Sequence, residues 1–517
     1  MRPRRILALC SLTLACALTA LAGAAGAPGS AAAARAAHHA RAAKALSVPT
    51  ALARLLASGS IEQSAYARYT AAYSAATRSL SRLSGTRRSE LGAVLANLRA
   101  IAAAGGFIPS RLPALFLTLE RNRQWWTTEP LLSSGERVSF PGSKIVWEYY
   151  TGQGVEIQWL GTFGEANGFY GNHENTNLRQ LLGEVLPLAT QRAGGLAWEY
   201  LFRFDGGVPP WTSGLSQGTA LQVLARSWSR FKEPALLQAA QKALGIFQRT
   251  PPQGVRVSTA AGAEYAEYTY TPGDRILNGF IQSLVGLYDY TSITKDPLGL
   301  KLFEAGDAEA RAEVPHYDTG AWSLYDQHGE SNLNYHELLT EFLQHLCERT
   351  RGGLPLTTAS PPPAGAPTSP TTTPTTTPGT TPTTTTTTGG GSPAPSARAA
   401  GSTPAAAVPG DSIYCTTAQR FTADLRTPPK ATILTTKLRG GTRAGVQISL
   451  SKISSVTMTV RQGSRTVARN GAILERGRPK LLWVTPSSGG TFTVTIAARD
   501  LAGNFSTTSA TVVVSHH

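Results

Sequence analysis

Acidic residues are scarce in this chain, cysteine is nearly absent, and beyond residue 21 no apolar run is long enough to cross a bilayer. Only 32 Asp and Glu stand against 48 Lys and Arg in 517 residues, a formal net charge of +16. Long-range attraction therefore favours anionic partners: nucleic acid, an anionic glycan or a membrane surface. Of the four cysteines, Cys10 and Cys16 fall in the first apolar segment. That leaves Cys347 and Cys415, and spacing alone does not say whether they pair. Also missing are the HExxH spacing of a metal site, a phosphate-cradling glycine loop and the Gly-x-Ser-x-Gly nucleophile elbow. A metal-free, cofactor-independent chemistry fits that silence.

What is present begins with Arg2, Arg4 and Arg5, an apolar run over 6–21, and the small residues Ala22, Gly23 and Ala24. This is the pattern of a secretory signal peptide over residues 1–27. It implies a secreted or cell-surface protein without a membrane span, and it removes nucleic acid from the list of partners. Thr13 stands where a lipoprotein signal requires an aliphatic residue, so Cys16 is not read as a lipid anchor.

A chain of this length predicts two or three folded units plus connectors. Residues 28–47 are an Ala-rich, flexible lead-in. Over 48–139, Leu52, Leu55, Leu56, then Tyr66, Tyr69, Tyr73, then Leu91, Val94, Leu95 and Leu98 recur at helical spacing. Val138, Phe140, Ile145, Val155 and Ile157 predict a small β element, and residues 252–272 a hairpin or long loop. Helical periodicity returns from Asn175 to Arg349. A Thr/Pro-rich stretch over 353–411 cannot bury a core and reads as a disordered linker. Val446, Ile448, Leu450 and later Phe492, Val494, Ile496 then alternate at the strand period, which predicts a β-sandwich over 412–517. The turn at 498–504 resembles that of bacterial immunoglobulin-like modules.

Unusual residues concentrate between 205 and 340. Trp211 precedes a helix start at Ser213 to Gly218, an arrangement suited to stacking on a sugar face beside backbone donors that favour an anion. Further on come Glu267, Tyr268, Thr269, Tyr270; Leu277, Asn278, Gly279; Tyr317, Asp318, Thr319, Gly320; Leu324, Tyr325, Asp326; and Asn334, Tyr335, His336. In this order they resemble the C-terminal domain of heparosan glucuronyl C5-epimerases, a likeness that covers roughly a third of the chain.

The resemblance implies a mostly α fold over 140–352, an (α/α) toroid or incomplete barrel with a small β element, ahead of the linker and an Ig-like β-sandwich. It implies an acidic polysaccharide as partner, inversion at C5 of a hexuronic acid, and Glu267, Tyr268, Tyr325 and Tyr335 as catalytic residues. Glu267 and Tyr335 are the expected acid/base pair on opposite faces of the sugar, with Tyr268 and Tyr325 as donors to its carboxylate or as alternates in that pair. Trp211, Gln217, Arg275, Asn278, His328 and His336 are expected to bind substrate, with Arg275, His328 and His336 also placed to tune the phenols. The family carries an Arg three residues after the tyrosine matched by Tyr325, where this chain has His328, and a longer insert before the third motif. Either His328 or Arg275 replaces the missing grip on the substrate carboxylate, or the choice of substrate has changed. Tyr288 and Tyr317 are expected to pack or cap. The resemblance also allows a homodimer. Rival readings are a polysaccharide lyase, which begins with the same proton abstraction, and a glycan-binding surface protein without turnover.

Overall fold

The computed structural model describes residues 46–353 and 413–516. The proposed signal peptide, most of the lead-in and almost all of the linker lie outside these residues. Among the described residues the chain is helix-rich, with 12 α-helices, and ends in a β-rich region.

Helices α1 (Val48–Ala57), α2 (Gln63–Arg82), α3 (Gly85–Ala103) and α4 (Leu112–Thr128) follow the predicted apolar spacing and bury Leu52, Leu91, Leu95, Leu98 and Leu119. A three-stranded antiparallel sheet follows, built from β1 (Arg137–Val138), β2 (Trp147–Tyr150) and β3 (Gly154–Ile157). Helices α5 (Trp159–Gly171) and α6 (Asn175–Val185) lead to the short hairpin of β4 (Thr190–Arg192) and β5 (Gly195–Ala197).

Next come α7 (Gly214–Phe231), α8 (Pro234–Ala243), the hairpin of β6 (Arg256–Ser258) with β7 (Ala263–Tyr265), α9 (Leu277–Thr294), α10 (Pro297–Glu313) and α11 (Leu333–Thr350). The hairpin lies where the sequence predicts one. α7 and α9 approach closely because Gly218 and Gly286 face each other: a methyl at Gly286 would strike the backbone of Gly218. Glycine normally weakens a helix interior; here it lets two backbones meet beside the site.

The last strands form two sheets, ordered β13–β10–β8 and β12–β11–β14–β15–β9. They are β8 (Ala431–Ile433), β9 (Lys437–Arg439), β10 (Arg443–Leu450), β11 (Ser454–Gln462), β12 (Arg465–Leu474), β13 (Lys480–Val484), β14 (Gly490–Asp500) and β15 (Phe505–Ser515). Alternate residues of both sheets, Val446, Ile448, Val460, Trp483, Val494 and Ile496 among them, close one apolar cluster.

One segment departs from the expected β character. Residues Ile413–Asp424 form a helix, α12, packed on α11. The cause is its apolar spacing: Tyr414, Cys415, Ala418 and Phe421 fall on one helical face and are buried. Cys347 on α11 and Cys415 on α12 form a disulfide, with Cα atoms 4.8 Å apart. Tyr414 donates to Asp307 Oδ1 at 2.7 Å, and Arg420 pairs with Asp318. The helix after the linker is thereby fastened to the helices before it.

Candidate active site

A cleft open to solvent lies between the start of α7, the start of α9, the segment 199–211 and the loop that precedes α11. Its lining includes Tyr150, Gln158, Leu160, Tyr200, Phe202, Phe204, Trp211, Ser213, Glu267, Tyr268, Asn278, Tyr325 and Tyr335.

Glu267 is placed by backbone pairing. Gly214 N donates to Ala266 O at 2.9 Å and Thr269 N to Thr212 O at 3.2 Å, so the segment after β7 runs alongside the entry to α7. Ser213 caps that helix by accepting from Ser216 N, and its hydroxyl donates to Glu267 Oε1 at 3.0 Å. The other oxygen, Oε2, is buried with no partner among the described residues. Burial raises this carboxyl, against the hydrogen bonds from Ser213 and the Leu215 backbone, to a pKa of about 7. Gly279, at the start of α9, is the reason the side chain fits: any Cβ there would collide with Oε2.

The phenols converge from three segments. Tyr268 follows Glu267 directly and rises well above the usual phenol range, first by burial and then by the nearby Tyr325, Glu267 and Tyr335. Tyr335 sits in the first turn of α11, where Asn332 caps the helix by accepting from Tyr335 N at 2.9 Å. Tyr325 is held in the preceding loop by its own N–H, which donates to Gly329 O at 2.9 Å. The Tyr325 and Tyr335 rings are 4.6 Å apart, centre to centre. All four residues expected to be catalytic therefore share one cleft, and Asn278 lines it with them. Asn278 Oδ1 accepts from Gly279 N at 2.8 Å.

The other expected binding residues are placed differently. Trp211 lines the cleft, but its ring is 4% exposed, stacks on Tyr200 at 4.3 Å and donates from Nε1 to Phe202 O. It is a buried wall rather than an open platform. Gln217 is buried with both ends of its amide on the Trp198 backbone, Nε2 to O at 2.8 Å and Oε1 from N at 3.1 Å, and it does not line the cleft. Arg275 is consumed by three carboxylates, Glu264 at 2.6 Å, Glu313 at 2.8 Å and Glu309, and does not line the cleft.

His328 is exposed on a turn whose backbone N–H donates to Asp326, outside the lining. His336 lies behind the site, fully buried and stacked on Trp322 at 3.8 Å. Its Nε2 donates to Phe421 O at 3.0 Å while Nδ1 accepts from Ser323. Burial lowers its pKa to about 4, so it stays neutral. Neither histidine supplies the missing arginine. Tyr288 donates to Arg349 O and Tyr317 to Arg275 O, as packing residues do.

Sequence reasoning missed the opposite wall. Tyr150 at the end of β2, with Gln158 Nε2 3.4 Å from its hydroxyl, and Tyr200 beyond β5 all face the cleft. Tyr200 is raised above the ordinary phenol range by burial and by the charge of Glu267. A clamp fixes this wall: Glu199 takes Arg111 Nε at 2.5 Å and Arg192 Nη1 at 2.7 Å, and its backbone accepts from Trp159. The only local signal is aromatic density. Which of those rings meet Glu267 depends on contacts between distant segments.

A buried carboxyl poised near neutrality, ringed by phenols, can take a proton from one face of a substrate and hydrogen-bond an anion as it forms. Residues 194–354 match the family described as the D-glucuronyl C5-epimerase C-terminus. A D-glucuronyl C5-epimerase of Caenorhabditis elegans is 34% identical over 131 residues, which is 23% of this chain and 21% of that protein. An uncharacterized protein of Methanocaldococcus jannaschii is 25% identical over 151 residues, 28% of this chain and 49% of its own length. The chain thus spans about a fifth of the nematode relative and about half of the archaeal one. The match to that family covers about a third of the chain, residues 194–354. That stretch holds Glu267, Tyr268, Tyr325 and Tyr335, but neither Tyr150 and Gln158 nor helix α12.

Proposed function

We propose that this chain is a secreted C5-epimerase of hexuronic acid residues within an acidic polysaccharide. The observation that carries this reading is Glu267: a buried carboxyl near pKa 7, with one oxygen unpartnered, in one cleft with Tyr268, Tyr325 and Tyr335. The C5 proton of a uronate is acidified by the adjacent carboxylate, and it leaves when the developing enediolate is stabilised by fixed donors. Ionised Glu267 removes the proton from one face. Tyr335 returns one from the other, and Tyr268 and Tyr325 donate to the carboxylate oxygens. The upward displacement of Tyr268 keeps it protonated at neutral pH, which suits a donor.

Among the described residues no Lys or Arg lines the cleft. In this reading the substrate carboxylate is recognised by neutral donors, the phenols with Gln158 and Asn278, in place of the arginine carried by the family. The helical part is read as an (α/α) toroid and the β-rich part as an Ig-like sandwich joined by the linker. The family likeness also allows assembly as a homodimer.

A polysaccharide carrying deuterium at C5 of glucuronate tests the proposal. The label should pass to solvent at unchanged chain length. Shortened chains with unsaturated ends would instead mean a lyase, and binding without label loss a glycan-binding protein.

A further inference from the structure

Charge is distributed unevenly along this chain. Residues 46–353 hold 27 Lys and Arg against 28 Asp and Glu, so the helical part is nearly neutral. Residues 428–517 hold 12 against 2. Of those two acids, Asp500 is buried against Lys452 at 2.7 Å, leaving Glu475 as the one acidic side chain free to offset the rest. Ten of the sixteen net positive charges therefore lie in residues 428–517, none of which lines the cleft.

Strand register places five of these cations on one face, spread from Lys437 beside Val513 at one end to Arg499 beside Phe505 at the other. In the five-stranded sheet Val460, Val494, Asp500 and Val512 point inward and are buried. Their neighbours Arg461 and Arg499 must point outward, because side chains alternate along a strand. Arg469 pairs with Thr459 and Lys437 with Val513, both on that outer side, and Arg439 follows two residues after Lys437. All five are exposed, and among the described residues none takes part in an ion pair. Between them lie hydroxyls in register: Thr459 with Thr495 and Ser509, and Thr493 with Thr511. No outward residue of these strands is acidic. The exposed apolar side chains Ile473, Phe505 and Val513 stand at the two ends of the face.

We propose that this outward face is a second binding surface for an acidic polysaccharide, holding the chain whose uronate residues the cleft processes. The proposal rests on the function given above for its choice of ligand. Guanidinium forks match carboxylates, and the threonine rows offer donors and acceptors to sugar hydroxyls. Strands about 4.8 Å apart, five across, make a face roughly 19 Å wide, which several sugar residues of one chain can cover. The surface captures the polymer, and the near-neutral cleft then receives a segment of a chain already held nearby.

The test compares the full mature chain with R461Q/R469Q/R499Q and R461K/R469K/R499K. Binding to immobilised unsulfated heparosan and to anionic phospholipid vesicles is measured at two salt concentrations. C5 exchange is measured on a heparosan hexasaccharide. The glutamine variant should bind heparosan at least tenfold more weakly, with a shallower salt dependence, while the lysine variant, which keeps the charge and loses the fork, binds between that variant and the parent. Hexasaccharide exchange should be unchanged in both. Equal heparosan binding by the glutamine variant and the parent overturns the proposal. So does a loss confined to vesicles, which would make the face a membrane contact. If heparosan binding falls tenfold but even the parent exchanges no C5 proton, this surface stands and the epimerase reading fails.

Discussion

Glu267 owes its chemistry to two small neighbours, Ser213, whose hydroxyl binds one oxygen, and Gly279, which leaves room for the other. Folding moves this carboxyl from the usual range near 4.5 to about 7, so the folded chain holds the proton more tightly than the unfolded one. The stability this provides is complete below about pH 4.5 and is lost as pH rises through about 7. Glu267→Gln removes the ionisation. The variant should be more stable than the parent at pH 8, by up to about 3 kcal/mol at ~1.4 kcal/mol per pKa unit, and equal to it at pH 4.5, as read from thermal melts at both values. The same variant should lose C5 exchange by about a hundredfold or more, the usual worth of a positioned acid or base. Exchange by the parent should rise with pH through about 7. Gly279→Ala should lower exchange at least tenfold, because its methyl displaces the carboxyl. Parent-like exchange in that variant would mean that Glu267 does not act from this position.

Between residue and fold, the loop carrying Tyr325 and the helix carrying Tyr335 are held from behind by contacts that span the linker. His336 joins Ser323 to Phe421, and the disulfide joins α11 to α12. Closing a loop of this size is worth about 4 kcal/mol. Cys415→Ser should lower the melting temperature and reduce exchange together, since the support for both phenols loosens; a variant that melts early yet exchanges at the parental rate would show that α12 only adds stability. Arg275 offers a contrast, holding Glu264, Glu309 and Glu313 around one guanidinium. Arg275→Gln strands carboxylates with little solvent and should destabilise by about 3 kcal/mol or more, with KM for short substrates unchanged. The ordered tyrosine motifs were legible in sequence because each has a local signature. The fate of Arg275 was not, since its three partners lie 11 to 38 residues away and converge only in the fold. Helix α12 left a readable trace in the spacing of Tyr414, Ala418 and Phe421, masked by its position between a Thr/Pro-rich linker and a run of strands.

Across the whole molecule, helices that build a near-neutral cleft are joined to a strongly basic β-rich region. They also touch directly, where Glu330 accepts from the backbones of Ile453 and Arg476. The net charge was plain from composition. Its uneven division between residues 46–353 and 428–517 could be counted there too; that five of the cations share one outward face could not, because that depends on strand register. The cleft likewise draws on residues outside the matched family region, Tyr150 and Gln158 before it, with α12 supporting it from after. Proton transfer at C5 by Glu267 and the phenols is the claim on which this account depends. Proton NMR of heparosan incubated with the mature protein in deuterated water tests it most directly. The account predicts deuterium at C5, new iduronate-type signals and intact chains, all absent with Glu267→Gln; no deuterium at C5 of any uronic polysaccharide that demonstrably binds would contradict it.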